Sequence, residues 1–259
     1  FHFDITEALE RNDNSLTVCA QDDLRSGRQP AGKQCPDYAS RGCLYTRVTG
    51  IWQTVWLEAA PQSHIRQVSV VADLESGSFV FTPLFNDADP DQLFQVEIGV
   101  GGRRVAAREM PASNGIPFAV DVPEPHPWTP DDPFLYDVTF RLLEGPRSVD
   151  AVKSYAGLRT VRVEGNRILL NEEPVFLRFV LDQGFYPDGI WTAPSDADLR
   201  GDIERALAVG FNGARLHQKV FEERFHYWAD RLGYLTWGEF ADWGPGRSFA
   251  DPSFVYNLH

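Results

Sequence analysis

Seven short stretches of strand character crowd the middle of the chain, at residues 65–72, 78–86, 94–100, 104–109, 118–122, 136–143 and 148–156. Each is rich in β-branched or aromatic residues and is bounded by Gly, Pro, Asn, Asp or Ser. Short strands at such spacing predict an antiparallel sandwich over residues 63–158. The stretch holding Pro125, Pro127, Pro130 and Pro133 lacks ladder donors, so it must be a rigid loop or an edge. After Leu170 the period changes. A buried-looking run over 174–181 precedes a Gly/Pro/aromatic loop, and Ser195 then reads as the N-cap of a helix, with Asp198 three residues on. Leu199, Ile203, Ala206 and Leu207 follow at spacings of three and four, and Gly210 stops the helix. A strand at 211–216, a helix at 222–232 ending on Gly233 and a strand at 234–237 complete the pattern. Strands alternating with helices imply a parallel sheet.

Residues 1–60 read as strand and turn, with alternation at 15–20 and β-branched and aromatic residues throughout 51–58, joined by a long polar loop near 22–41. Only residues 172–259 follow Asn171, far fewer than the roughly 250 that a (β/α)8 barrel takes. The sequence is therefore expected to hold an unfinished barrel.

The chain has 43% hydrophobic and 24% charged residues, which argues against disorder and collagen. A net charge of −13 and the absence of any Lys/Arg run argue against nucleic acid and anionic membrane as partners. No apolar run approaches the roughly 18–20 residues that cross a bilayer. Cys19, Cys35 and Cys43 cannot all pair within one chain and lack metal-ligand spacing, and free thiols are the better reading, although Cys35 and Cys43 can close a small loop. The six histidines never adopt HExxH or comparable spacing, so neither metal nor cofactor is expected. Gly99-Val100-Gly101-Gly102 follows a strand but opens no helix, which sets a nucleotide loop aside. Phe225 and Trp228 fall on the buried face of their helix and read as core. Phe1-His2-Phe3-Asp4 offers neither a basic n-region nor an apolar h-region, so no signal peptide is legible and the compartment stays open.

Several stretches in order carry a resemblance. They are Thr49-Gly50-Ile51-Trp52-Gln53-Thr54-Val55-Trp56-Leu57-Glu58, then Trp128-Thr129-Pro130-Asp131-Asp132-Pro133-Phe134-Leu135-Tyr136, and then Gly157-Leu158-Arg159 with Leu170-Asn171-Glu172-Glu173-Pro174. Gly210-Phe211-Asn212-Gly213-Ala214-Arg215-Leu216-His217 and the segment from Trp228 to Glu239 complete the series. Together they resemble glycoside hydrolase family 2. The resemblance implies a multidomain β plus α/β fold. Residues 1–61 would be the C-terminal part of a jelly-roll sugar-binding sandwich, 62–158 an immunoglobulin-like β-sandwich, and 159–259 the first three strands of a (β/α)8 TIM barrel. Phe179 stands where the family often has Gly, and Leu44 where galactosidase- and glucuronidase-type members carry a sugar-binding Asp. The motif Arg215-Leu216-His217 is one residue shorter than the family's usual Arg-x-x-His. The sugar is therefore not specified.

Glycoside hydrolysis needs two carboxyl groups flanking the scissile bond. The resemblance implies a retaining, exo-acting enzyme that cleaves terminal β-linked sugars. It also implies that both catalytic Glu residues lie beyond strand three, so no catalytic residue is assigned and the polypeptide by itself is expected to be inactive. Substrate-binding candidates are the residues at the C-terminal strand ends, where barrel active sites form: Asp182 and Gln183 with the loop aromatics Phe185, Tyr186 and Trp191, then Arg215 and His217, then Trp237 and Glu239. Asp242 and Trp243 follow. Each has a plainer alternative. Asp182 and Gln183 can cap a turn beside Gly184, and the His217 imidazole can bond a neighbouring carbonyl. Glu239 reads better as a group that orients Arg215 than as a catalyst. Carbohydrate is the expected partner, and exposed sheet edges suggest a homo-oligomer. The rival reading is a non-catalytic carbohydrate-binding module using Trp191 and Trp237; a plain interaction scaffold is a third.

Overall fold

A computed structural model describes residues 2–25 and 30–241. They fall into two compact units, one of residues 2–25, 30–54, 185–192 and 241, the other of Val55–Gly184 and Ala193–Phe240.

The second unit is mostly β. Strands β1 (His64–Asp73), β2 (Ser78–Asn86) and β5 (Phe118–Asp121) form one antiparallel sheet in the order β1-β2-β5. Strands β3 (Leu93–Val100), β4 (Arg103–Pro111), β6 (Tyr136–Glu144) and β7 (Arg147–Ala156) form another, in the order β4-β3-β6-β7. Alternation along β2, β3 and β6 buries Phe79, Phe81 and Phe85, Phe94, Val96 and Ile98, and Tyr136, Val138, Phe140 and Leu142 in one core. Aromatic rings join the two sheets edge to face, Phe85 to Phe94 at 5.2 Å, Phe81 to Phe140 at 5.7 Å and Phe79 to Tyr136 at 5.6 Å. Such pairs add about 0.5–1.5 kcal/mol each beyond burial. The Tyr136 hydroxyl accepts a bond from the His126 N–H at 2.6 Å, pinning the proline-rich loop to the start of β6.

A small antiparallel sheet follows, in the order β10-β9-β8, from β8 (Val161–Glu164), β9 (Arg167–Leu170) and β10 (Glu173–Pro174). Residues 161–170 form a hairpin beyond the seven strands expected from the sequence, on a pattern the sequence does carry: Val161-Arg162-Val163-Glu164 alternates and Gly165-Asn166 is a hairpin turn pair. Gly165 takes φ +60°, which a side chain resists and a two-residue hairpin loop demands.

The third sheet is parallel, β11-β12-β13, from β11 (Phe179–Asp182), β12 (Gly213–Leu216) and β13 (Leu235–Gly238). Helix α1 (Asp196–Ala208) links β11 to β12, and α2 (Glu223–Leu232) links β12 to β13. Ser195 caps α1, its Oγ accepting from the Asp198 N–H and donating to the Asp198 carboxylate at 2.6 Å. Helix α2 stops on Gly233 at φ +74°. A Cβ there would lie 2.1 Å from the Pro130 carbonyl oxygen, so the proline-rich loop closes over the helix end only because residue 233 is glycine. Asp230 of α2 strengthens this junction: its carbonyl accepts from the Trp128 indole at 2.7 Å, and its carboxylate accepts from Arg159 at 2.9 Å and from the Tyr155 hydroxyl at 3.1 Å.

Three expectations need correction. The run at 174–181 is not one strand, because Pro174 pairs with Leu169 and strand pairing resumes only at Phe179. Phe176 is exposed, and the Asn212 side chain holds the crossing by bonding both the Phe176 carbonyl and the Arg178 N–H. The stretches at 15–20 and 51–58 form no strand among the described residues. A strand exists only against a partner, and no described segment offers one its backbone groups. Trp228 is only partly buried; it leans over the start of α1 and donates to Asp196 at 3.0 Å, while Phe225 does sit in the core.

Within the first unit, Tyr45 stacks on Phe185 at 4.0 Å, Phe185 meets Trp191 edge-on at 5.0 Å, and Trp191 meets Trp52 at 5.7 Å. The Thr192 hydroxyl donates to the Trp52 carbonyl at 2.7 Å. Among the described residues no helix is long and apolar enough to cross a membrane.

Candidate functional site

Parallel register puts Leu181, Arg215 and Trp237 in one row across β11, β12 and β13, and Asp182, Leu216 and Gly238 in the next. Successive side chains along a strand face opposite ways. Ala214 and Leu216 are buried, so the even-numbered face is the covered one, with α1 packing on β12 and α2 on β13. Leu181, Arg215 and Trp237 stand on the other face, and all three are exposed, Trp237 at 53%.

This separates the candidates. Arg215, His217, Trp237 and Glu239 gather at the C-terminal ends of two adjacent strands. Glu239 accepts from Arg215 Nε; its second oxygen lies 2.9 Å from His217 Nδ1 and accepts from the Gln218 N–H at 3.2 Å. Burial alone would push the Glu239 carboxyl up, but bonds from Arg215, His217 and Gln218 together hold it below the ordinary range. A carboxylate acceptor places the imidazole proton on Nδ1 and leaves Nε2 as the ring's acceptor. Arg215 Nη2 also approaches Nδ1, at 3.3 Å. The cluster thus offers a half-exposed guanidinium, an imidazole oriented through Nδ1 and an exposed indole, with Glu239 engaged in orienting the first two. His217 meets a carboxylate rather than the neighbouring carbonyl of its plainer reading; that carbonyl, on Asp182, accepts instead from the His217 backbone N–H at 2.7 Å.

Asp182 belongs to the other face. It shares its row with buried Leu216, interacts electrostatically with Asp202 of α1 and with Lys219, and gives one carboxylate oxygen to the Gly184 N–H at 2.8 Å. Burial pushes its carboxyl up. This geometry favours the turn-capping reading over a hydroxyl grip. Gln183 continues the same turn. The loop aromatics are spent differently from expectation. Trp191 is only 8% exposed and is packed against Trp52 and Phe185, so it offers no open ring face for a sugar. Asp242 and Trp243 lie outside the described residues.

Sequence reasoning missed Lys219. Its ammonium is buried, donates to the Gly184 carbonyl at 2.6 Å and lies 5.2 Å from the Phe221 ring. Burial lowers its pKa to about 8, against the opposing pull of Glu222 and Asp182. A lone Lys at a strand end reads as solvated, and only the fold reveals the carbonyl beneath it. Among the described residues no group of three or more His, Cys, Asp or Glu side chains is arranged to hold a metal ion.

The chain is similar to several known proteins. Residues 63–159 match the family model "Glycosyl hydrolases family 2". A β-galactosidase of Psychromonas ingrahamii is 27% identical over 92% of this chain and 24% of its own length. One of Thermoanaerobacter pseudethanolicus is 25% identical over 94% of this chain and 33% of its own. The chain therefore spans about a quarter to a third of these curated relatives. Among solved structures, a β-glucuronidase from Ruminococcus gnavus in complex with uronic deoxynojirimycin superposes with a TM-score of 0.66 at 22% identity, over 76% of this chain and 33% of that one. A family 2 member from Bacteroides cellulosilyticus gives 0.62 at 21% identity, over 70% and 27%. These two likenesses show a shared fold.

Proposed function

We propose that this chain, residues 63–159 of which match glycosyl hydrolase family 2, forms one wall of the sugar site in a retaining, exo-acting glycosidase of that family that cleaves terminal β-linked sugars. In this reading residues 1–61 are the end of a jelly-roll sugar-binding domain, 62–158 an immunoglobulin-like sandwich, and 159–259 the opening of a TIM barrel. The observation that carries it is the gathering of Arg215, His217, Trp237 and Glu239 on the open face of a parallel sheet, at the strand ends where barrel enzymes bind substrate. An exposed indole can stack on the C–H face of a sugar, and the guanidinium and imidazole can bond its hydroxyls.

Glu239 is held as a carboxylate by three donors, which suits an orienting role and not proton donation. As the family resemblance implies, the proposed acid/base and nucleophile are Glu residues of a longer enzyme, and the 259-residue polypeptide alone is expected to show no turnover. The open sheet face, with Leu181 and Trp237 exposed, favours self-association of the polypeptide. The test is hydrolysis of p-nitrophenyl β-D-galactoside and β-D-glucuronide by this polypeptide and by a longer gene product that contains it. The proposal expects turnover only in the latter, with the β-anomer released first by proton NMR. Glycoside binding without turnover in the longer product would instead favour a non-catalytic binding module.

A further inference from the structure

Three consecutive residues after β12 each reach a different neighbour. The His217 N–H donates to the Asp182 carbonyl at 2.7 Å, the Gln218 N–H to Glu239 Oε2 at 3.2 Å, and Lys219 Nζ to the Gly184 carbonyl at 2.6 Å. Such divergence requires a sharp reversal, and Gln218 supplies it with φ +62°, in the left-handed region that residues with a side chain enter only at a cost. A strained residue persists when its surroundings over-determine it, so what holds Gln218 matters. On one side is the His217 bond to β11. On the other is Lys219, whose ammonium is buried against Gly184 and Phe221 and balanced by the nearby charges of Asp182 and Glu222. Lys219 cannot swing away without leaving a buried carbonyl and stranding its own charge among apolar neighbours.

We infer that Lys219 is a positioning residue: by anchoring to the Gly184 carbonyl it keeps Gln218 left-handed, and thereby aims the His217 ring and the Gln218 N–H at Glu239. The cluster at the strand ends is thus set by a buried tether two residues beyond His217. The functional meaning of this tether rests on the proposed sugar site; its existence does not.

The test is Lys219→Met in the full chain, read by the tautomer of His217 in long-range proton–nitrogen NMR spectra. In the unaltered chain the ring is expected almost wholly as the Nδ1–H form bonded to Glu239. Lys219→Met is expected to lower the ratio of Nδ1–H to Nε2–H by at least about tenfold, the lower end of what one charge-assisted bond is worth. The double variant Lys219→Met with Gln218→Gly should recover the Nδ1–H form, because glycine takes a positive φ without a tether. A folded Lys219→Met chain with an unchanged tautomer overturns the inference. A folded double variant that stays mixed also overturns it, as does a loss of folding that Gln218→Gly does not repair, since Lys219 would then only support the core. Titration of the unaltered chain with methyl β-D-galactoside and methyl β-D-glucuronide separates the two ideas. Absence of binding alongside the tautomer change would sink the proposed sugar site and leave the tether standing.

Discussion

Replacing Glu239 by Gln keeps the shape and removes the charge, and the structure allows the cost to be worked out. Glu239 accepts from Arg215 Nε on one oxygen and from His217 and the Gln218 N–H on the other. An amide has one acceptor oxygen and no charge, so it satisfies at most one of these sides. A hydrogen bond to a charged group is worth about 1.5–3 kcal/mol when shielded, which suits the His217 side, where both side chains are largely buried. The Arg215 side is half exposed and is discounted to about 0–1 kcal/mol. Glu239→Gln should therefore cost about 2–3 kcal/mol at neutral pH. For a unit of this size that is a fall in Tm of about 4–12 °C by scanning calorimetry. The pH dependence follows from the depressed carboxyl. In the unfolded chain Glu titrates near about 4.3 and in the fold lower, so its stabilisation is fully present above that value and drains away as pH falls through the folded value. The gap between the two proteins should be widest near neutrality and narrow in acid. A gap below about 1 °C at pH 7, or one that does not shrink as the solution is acidified, would refute the claim that Glu239 holds the cluster as a carboxylate.

Gly233→Ala should destabilise by about 2 kcal/mol or more in urea, since it adds both left-handed strain and a clash with the Pro130 carbonyl; a change within 0.5 kcal/mol, the ordinary scatter of a surface substitution, would deny the close approach. Tyr136→Phe removes the hydroxyl that accepts from the His126 N–H and should cost about 1–2 kcal/mol by the same denaturation assay. Trp237→Ala, at an exposed ring, should alter stability by less than about 0.5 kcal/mol yet weaken binding of methyl β-D-galactoside by about tenfold in calorimetric titration. Equal binding by both proteins would remove Trp237 from the site.

What was legible in the sequence is what depends on neighbours along the chain. The seven strands β1 to β7 emerge from alternation and turn residues, with ends within two residues of those observed. Ser195 and Gly233 likewise mark the start of α1 and the end of α2 through rules of capping. The clustering of Arg215 with Glu239 was half legible, because adjacent parallel strand ends bring their residues together. Register decides the rest. Asp182 and Leu181 differ by one position, yet one faces the covered layer and the other the open face, and a short strand carries no local mark of which is which. Aromatic residues in loops are ambiguous until their neighbours are known; Trp191 is buried, packed against Trp52 and Phe185. Residues 51–58 have strand composition without a described partner, a reminder that β-propensity describes fit to a sheet rather than a sheet itself.

The central claim is that the open face at the ends of β12 and β13 meets a sugar. The most direct measurement is a map of amide shift changes in the nitrogen-labelled chain during titration with methyl β-D-galactoside and methyl β-D-glucuronide. The account predicts saturable changes concentrated at Arg215, His217, Gln218, Trp237 and Glu239 with one of the two glycosides. Changes confined to the sandwich strands, or none with either glycoside at millimolar concentration, would contradict it.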